Sequence, residues 1–222
     1  ILAEMRERLH ELRLWNFYGQ TEMAPLASAL GPEEQDTHAG SAGRPVINVE
    51  TAIVDDDNIP VDPCVVGEIV HRSPHLMLGY LDDEEKTAEA FRGGWFHSGD
   101  LGYYDAHGLL HVVDRKKDMI KTGGENVASR EVEEVIYRHP GVEEVAVFGL
   151  PHPRWVEAVV AAVVVRDGIV ITEDELLGHC RAHLAGFKTP KQLFFVDSLP
   201  KNPSGKLLKR LLRERFSLAQ AR

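Results

Sequence analysis

The longest uninterrupted apolar run, "AVVAAVVV" from Ala158 to Val165, constrains the fold more than any other stretch of the chain. Eight residues are far too few to cross a bilayer, which takes about 20. A valine-rich run of this length reads as a strand, and "VEEVAVFGL" (Val142–Leu150) reads as its partner. Helical spacing surrounds the pair. Ser129 is placed to cap a helix carrying Val132, Val135 and Ile136 on one face, and Pro140-Gly141 stops it. "TEDELLGHCRAHL" opens with a capping box, Thr172 to Glu175, and continues as an amphipathic helix. "QLFFV" reads as a further strand and "GKLLKRLLRERF" as a terminal helix. Helices and strands mixed without strict βαβ alternation predict a compact α+β domain.

The first half has a different texture. Leu2, Met5, Leu9 and Leu12 recur at helical spacing over residues 2–12, and "LRLWNFYG" (Leu12–Gly19) reads as a strand ending at a glycine. Gly31, Gly40, Gly43, Pro45, Pro60 and Pro63 punctuate the next stretch, which holds short strand candidates, Val46–Val54 and then Val66–His71. "DDEEKTAEAF" (Asp82–Phe91) is a helix with an acidic start, and Leu101–Val113 is a hairpin about Asp105 and Gly108. The texture changes within "DRKKDMIKTGGENV" (Asp114–Val127), so two domains are expected, 1–116 and 117–222.

With 25 Lys+Arg against 35 Asp+Glu, the formal charge is -10, and such a surface repels nucleic-acid backbones. A local nucleotide site needs only a few placed donors and is not excluded. Cys64 and Cys180 lie among apolar neighbours without a CxxC pair, which predicts two buried thiols and a reducing, cytoplasmic setting. His71, His75 and His97 lack metal-ligand spacing. "LPHPRW" (Leu150–Trp155) reads as loop and packing, and "KRLLRERF" as a solvated helix face. The opening "ILAEMRERLHEL" has neither an initiator methionine nor a leader pattern, and reads as though cut from a longer protein.

Three stretches carry candidate chemistry. In "NFYGQTEMAP", Tyr18 offers a ring face to a planar ligand, Gly19 permits close backbone approach, Thr21 supplies a hydroxyl and Glu22 hard oxygen for Mg²⁺. In "FHSGDLGYYD", Asp100 in a glycine-flanked turn can accept hydrogen bonds from both hydroxyls of a ribose. In "LPKNPSGKLLK", Lys206 follows Ser204-Gly205 without GxxxxGK[ST] spacing, at a helix start where the dipole disfavours a cation.

In this order, and with "GEIVHRSPHLMLGY", "GGWFHSGDLG" and "VVDRKKDMIKTGGENVASREVEEV" between them, these stretches resemble the C-terminal part of an acyl-CoA synthetase. That family belongs to the adenylate-forming enzymes, with luciferases and peptide-synthetase adenylation domains. The resemblance covers essentially the whole chain. It implies a remnant of a large AMP-binding domain, with a partly open β-subdomain, followed by a small mobile α+β domain. It implies ATP, Mg²⁺ and coenzyme A as reactants and cofactors, an acyl-adenylate and then an acyl-CoA thioester, and a carboxylic acid, most like a fatty acid, as substrate. By the same resemblance Tyr18 stacks on adenine beside Gly19, Thr21 meets the phosphates, Glu22 holds Mg²⁺, and Asp100 with Arg115 grips the ribose. Lys206 serves the first half-reaction. Lys117 is the hinge, and Lys121 to Val127 replaces Lys206 in the second half-reaction, with Gly123 and Gly124 leaving room for the pantetheine arm. The family's upstream phosphate loop has no counterpart here, so these residues alone are expected to be inactive. Rival expectations are an adenylation domain loading a carrier protein, a luciferase-like oxygenase, and a non-catalytic module that binds nucleotide or a partner.

Overall fold

The computed structural model describes residues 5, 7–9 and 11–220. Leu2 of the helix expected over residues 2–12 lies outside them, while the Leu9 N–H donates to the Met5 carbonyl at 2.9 Å. The chain divides into two compact units, Ile1–Val113 and Asp114–Arg222. Its mixture of sheets and helices is α+β, as the unalternating pattern predicts.

In the first unit, β1 (Asn16–Gly19), β2 (Leu26–Leu30) and β3 (Arg44–Pro45) form an antiparallel sheet. A four-stranded sheet runs in the order β4 (Glu50–Val54), β5 (Gly67–Arg72), β6 (Phe96–Tyr104), β7 (Leu110–Arg115). Strand β1 is shorter than "LRLWNFYG", and Leu12 is left exposed. The expected hairpin is present: Asp105 accepts the N–H groups of His107 and Leu109, and Gly108 takes a φ of 72°. Helix α1 (Glu84–Ala90) is capped by Asp83, which accepts the Lys86 N–H at 3.0 Å. Cys64 is exposed, against the expectation of burial, because it sits in a loop with its own φ at 66°.

The second unit has one sheet in the order β10-β11-β8-β9, with β12 added to β11. These strands are β8 (Ile120–Thr122), β9 (Glu125–Val127), β10 (Val142–His152), β11 (Val156–Val165) and β12 (Gln192–Phe195). Its helices are α2 (Ser129–Tyr137), α3 (Glu173–His183) and α4 (Lys209–Gln220). The apolar run is explained by what covers it. Val159, Ala161 and Val163 pack with Val132 and Ile136 of α2 and Leu176 and Cys180 of α3. Ala158, Val160, Ala162 and Val164 pack with Phe148 and with Leu212 and Phe216 of α4. Helices on both faces leave no solvent side, so β11 is apolar without alternation.

Two helix starts differ from the sequence expectation. The residue before α2 is Ala128, and the first helical N–H groups, those of Ser129 and Arg130, donate to Asp114 at 2.5 and 3.4 Å. Ser129 is therefore capped rather than capping. Helix α4 begins at Lys209, leaving Lys206 in a loop.

Candidate functional site

The site residues are distributed between the two units. In the first, Tyr18 and Gly19 close β1 at an irregularity where the register with β2 shifts. A Cβ on Gly19 would lie 1.9 Å from the Pro25 carbonyl oxygen. The close approach this glycine permits is thus that of the chain's own return. Thr21 and Glu22 follow on a single 3-10 turn (Thr21–Met23) anchored by fully buried Met23. Thr21 is exposed and Glu22 half-buried. The Glu22 carbonyl accepts the Met77 N–H at 2.9 Å, and its Oε1 accepts the Tyr80 hydroxyl at 3.0 Å.

Asp100 lies inside strand β6 rather than in a turn. Glu68 pairs with Leu101 and Val70 with His97, so Ser98-Gly99-Asp100 bulge out of the ladder. Gly99 takes a φ of 71°, the Ser98 hydroxyl donates to the Ile69 carbonyl at 2.6 Å, and Ser98 Oγ accepts the Asp100 N–H at 3.0 Å. Bulges re-aim side chains beside functional sites. Here the bulge brings Asp100 Oδ2 to 2.8 Å from the Tyr18 hydroxyl, which donates to it across 82 residues of sequence. An aromatic face and a buried carboxylate are so joined at one place.

His71 sits beside this pair and was not among the residues the motifs singled out. Its ring centroid is 6.1 Å from that of Tyr18, its Nδ1 is 3.0 Å from Thr51 Oγ1, and it is fully buried. Burial lowers its pKa to about 4, so the imidazole is neutral at neutral pH. No spacing could have revealed it, because β5 contributes it through register with β4.

In the second unit, Gly123 and Gly124 form the two-residue turn between β8 and β9, with φ at 61° and 89°. Positive φ at both central residues is what a tight hairpin of the I′ kind requires, and glycine supplies it without strain. Open space surrounds the Cβ position of Gly124. Lys121 is exposed on β8, with its backbone N–H donated to Glu157 at 2.8 Å. Lys206 is also exposed and ends a loop drawn together by Asn202. The Asn202 Oδ1 accepts the N–H of Ser204 at 3.1 Å, the Ser204 hydroxyl at 2.8 Å and the Lys206 N–H at 2.7 Å. Among the described residues, neither the Lys121 nor the Lys206 ammonium has a side-chain partner. By contrast, Lys188, Lys201 and Lys209 are all paired with glutamates.

Arg115 ends β7, and its N–H donates to Asp114 Oδ1 at 2.8 Å. Lys117 lies exposed on the next turn, where its carbonyl accepts Arg213, and Arg213 also pairs with Asp118 at 3.0 Å. Asp114 is the hub of a network no motif indicated. The Ser129 hydroxyl donates to its Oδ2 at 2.7 Å and accepts from the Lys209 ammonium at 2.6 Å, while Lys209 pairs with Glu133 at 2.7 Å. Burial raises the Glu133 pKa against the opposing pull of that ammonium.

The family model described as "AMP-binding enzyme" matches residues 1–81, and "AMP-binding enzyme C-terminal domain" matches residues 131–206. The chain belongs to the adenylate-forming, AMP-binding enzymes. It is 44% identical over 214 residues to a long-chain-fatty-acid–CoA ligase of Salmonella typhimurium, covering 96% of the chain and 38% of the relative. It is 48% identical over 199 residues to a feruloyl-CoA synthase of an Amycolatopsis species, covering 90% of the chain and 40% of the relative. Among solved structures it is similar to the o-succinylbenzoate-CoA synthetase of Bacillus subtilis with its acyl-adenylate intermediate. There the TM-score is 0.89 at 36% identity, covering 96% of this chain and 43% of that one. The chain thus spans about two fifths of the length of the curated relatives it matches.

As an AMP-binding enzyme chain, it carries one further surface of interest. Trp155 packs against the core cluster around Phe148 and Phe216, as expected, and also borders the glycine turn, where its carbonyl accepts the Gly123 N–H at 2.9 Å. His152 stacks on its ring at 4.1 Å, and the Arg154 and Lys191 cations lie 5.8 and 5.6 Å from it. An aromatic surface with two cations suits a planar, phosphorylated group. No helix among the described residues is long and apolar enough to cross a membrane.

Proposed function

We propose that the protein containing these residues is an ATP-dependent acid–thiol ligase, which joins a carboxylic acid to coenzyme A through an acyl-adenylate. The observation that carries this reading is the Lys206 ammonium, without a side-chain partner among the described residues, at the end of a loop drawn together by Asn202. An exposed cation carried on a loop whose backbone is anchored suits the carboxylate and the α-phosphate of ATP, whose charges meet as the first bond forms. In that step a carboxylate oxygen attacks the α-phosphorus and pyrophosphate leaves. In the second, the thiol sulfur attacks the acyl carbon and AMP leaves.

Tyr18 then meets the adenine beside Gly19, Asp100 and Arg115 accept and donate to the ribose, and Thr21 lies by the phosphates. The residues present fit Mg²⁺. Among the described residues no group of three or more ligands could hold a metal alone, and Glu22 offers one oxygen beyond the one that Tyr80 occupies. Mg²⁺ is held by one or two carboxylates plus substrate phosphates, and it neutralises charge there. Lys117 acts as hinge, Lys121 takes the place of Lys206 in the second step, and the turn at Gly123 and Gly124 lies along the pantetheine path. The reaction runs in the cytoplasm, where thiols such as exposed Cys64 stay reduced. The 222 residues alone do not complete turnover.

The acid is a fatty acid, which the Salmonella relative supports; the Amycolatopsis relative, whose name specifies a feruloyl product, favours an aryl acid as second reading. Both are tested in the full-length protein by ATP–pyrophosphate exchange over a panel of fatty and aryl acids. Lys206→Ala is expected to lower exchange by at least about 100-fold, the scale on which removal of one preorganised donor acts. Thioester formation from supplied acyl-adenylate survives in that variant and falls in Lys121→Ala. Unchanged exchange in Lys206→Ala would remove the centre of the assignment.

A further inference from the structure

Glu22 rests on a three-residue 3-10 turn, which does not by itself fix a side chain with three rotatable bonds. What fixes it comes from the loop before α1. Met77 donates its N–H to the Glu22 carbonyl at 2.9 Å, and the Tyr80 hydroxyl donates to Oε1 at 3.0 Å. That loop is tied to α1 in turn. The Tyr80 N–H donates to Thr87 Oγ1 at 2.9 Å, and the Thr87 hydroxyl donates to the Asp83 carbonyl at 2.8 Å. Gly79 packs so closely on Thr87 that a Cβ there would lie 2.9 Å from its Cγ2. The Lys86 ammonium lies 4.2 Å over the Tyr80 ring, holding the ring in place. Among the described residues, no other side chain bonds to the Glu22 carboxylate.

We propose that Tyr80 is a positioning residue for the metal site: its phenol holds Glu22 Oε1 in place and leaves Oε2 as the oxygen presented to a divalent cation bound with the nucleotide phosphates. The inference rests on the reading of Glu22 as the Mg²⁺ ligand. Carboxylates that ligate metals are themselves hydrogen-bonded, and loss of such a partner costs about 10- to 100-fold in metal affinity. The "MLGY" stretch is held against α1 through Gly79 and the Tyr80 N–H, with Leu78 and Leu81 exposed while the half-buried Tyr80 reaches Glu22 with its hydroxyl.

The test uses the full-length protein with a non-hydrolysable ATP analogue, and Mn²⁺ as a spin-active substitute for Mg²⁺. Free Mn²⁺ is followed by electron paramagnetic resonance in wild type, Tyr80→Phe and Glu22→Gln, and analogue affinity is measured separately in EDTA. Tyr80→Phe keeps the ring, its packing and the Lys86 contact, and removes only the hydroxyl. The expected result is a roughly tenfold weaker Mn²⁺ affinity in Tyr80→Phe, with metal-free analogue affinity unchanged, and a larger loss in Glu22→Gln. Wild-type Mn²⁺ affinity in Tyr80→Phe alongside loss in Glu22→Gln overturns the positioning role and leaves the Glu22 assignment standing. Wild-type affinity in Glu22→Gln overturns the Glu22 assignment, and the role of Tyr80 with it. Equal weakening with and without metal in Tyr80→Phe marks a packing role and also overturns the proposal.

Discussion

His71 is the buried group whose chemistry is most at odds with its surroundings. Its pKa falls from 6.5 to about 4 through burial alone, while Thr51 bonds one ring nitrogen. Above pH 6.5 both folded and unfolded chains carry it neutral and it costs nothing. Between 6.5 and about 4 the unfolded chain takes up a proton that the folded chain refuses, so stability falls as the pH falls; below 4 the loss is complete. At about 1.4 kcal/mol per unit, the whole shift is worth at most roughly 3–4 kcal/mol. His71→Leu removes this slope. Urea unfolding of both proteins between pH 7 and pH 4, followed through the first unit's Trp15 and Trp95, should show the variant gaining on the wild type as the pH falls; parallel losses would mean that His71 is not held neutral. Legibility at this scale is uneven. Tyr18 and Asp100 stand in recognisable strings, but the bond between them depends on two strand irregularities that set register, which sequence spacing does not encode. Gly19 was legible as a glycine that permits close approach, but not as one that makes way for Pro25.

Elements differ according to whether their boundary signals are local. Helices α1 and α3 are capped by Asp83 and Thr172, which accept N–H groups three residues on at 3.0 and 3.2 Å, and both starts were readable from sequence. The Thr172 box is closed on one side only, since the Glu175 carboxylate pairs with His139 at 3.6 Å. Helix α2 takes its cap from Asp114, 15 residues upstream, where no local pattern points to it. The double glycine after Lys121 carries the ordinary signature of a two-residue hairpin, and it forms one between β8 and β9. The Asp114 cap gives an element-scale prediction. Asp114→Ala leaves the Ser129 and Arg130 N–H groups and the Ser129 hydroxyl without their acceptor, in contact with the Lys209–Glu133 pair. The cost expected for buried groups left unsatisfied is about 1–3 kcal/mol, with hydrogen exchange accelerated at the Ser129 and Arg130 amides and little changed in β10. Asp114→Asn, which keeps one carbonyl acceptor, should lose less. Uniform acceleration across the unit would instead mean that Asp114 supports the fold as a whole rather than one helix start.

At the scale of the molecule, the hydrophobic interior divides as the chain does. Two core clusters, around Ile53 and Ile69 and around Met23 and Phe96, are built from the first unit. The two that cover the faces of β11 are built wholly from the second. The apolar run legible as a strand therefore marked a complete small domain, because an α+β layer buried on both faces needs nothing further to exclude water. Residues 114–222 expressed alone are expected to fold. A chain of that size buries enough of its own surface for an ordinary two-state domain. Trp155 is its only tryptophan; its carbonyl borders the glycine turn and its side chain packs against the core cluster that holds Leu212 and Phe216 of α4, so its fluorescence reports on that packed layer. Urea unfolding followed by Trp155 emission and by far-ultraviolet circular dichroism should give one coincident transition, with a slope of about 1–3 kcal/mol per molar. Helical dichroism that persists after the Trp155 signal has gone would show that the core layer beneath α4 loosens before the helices melt, and would overturn the reading of one cooperative domain.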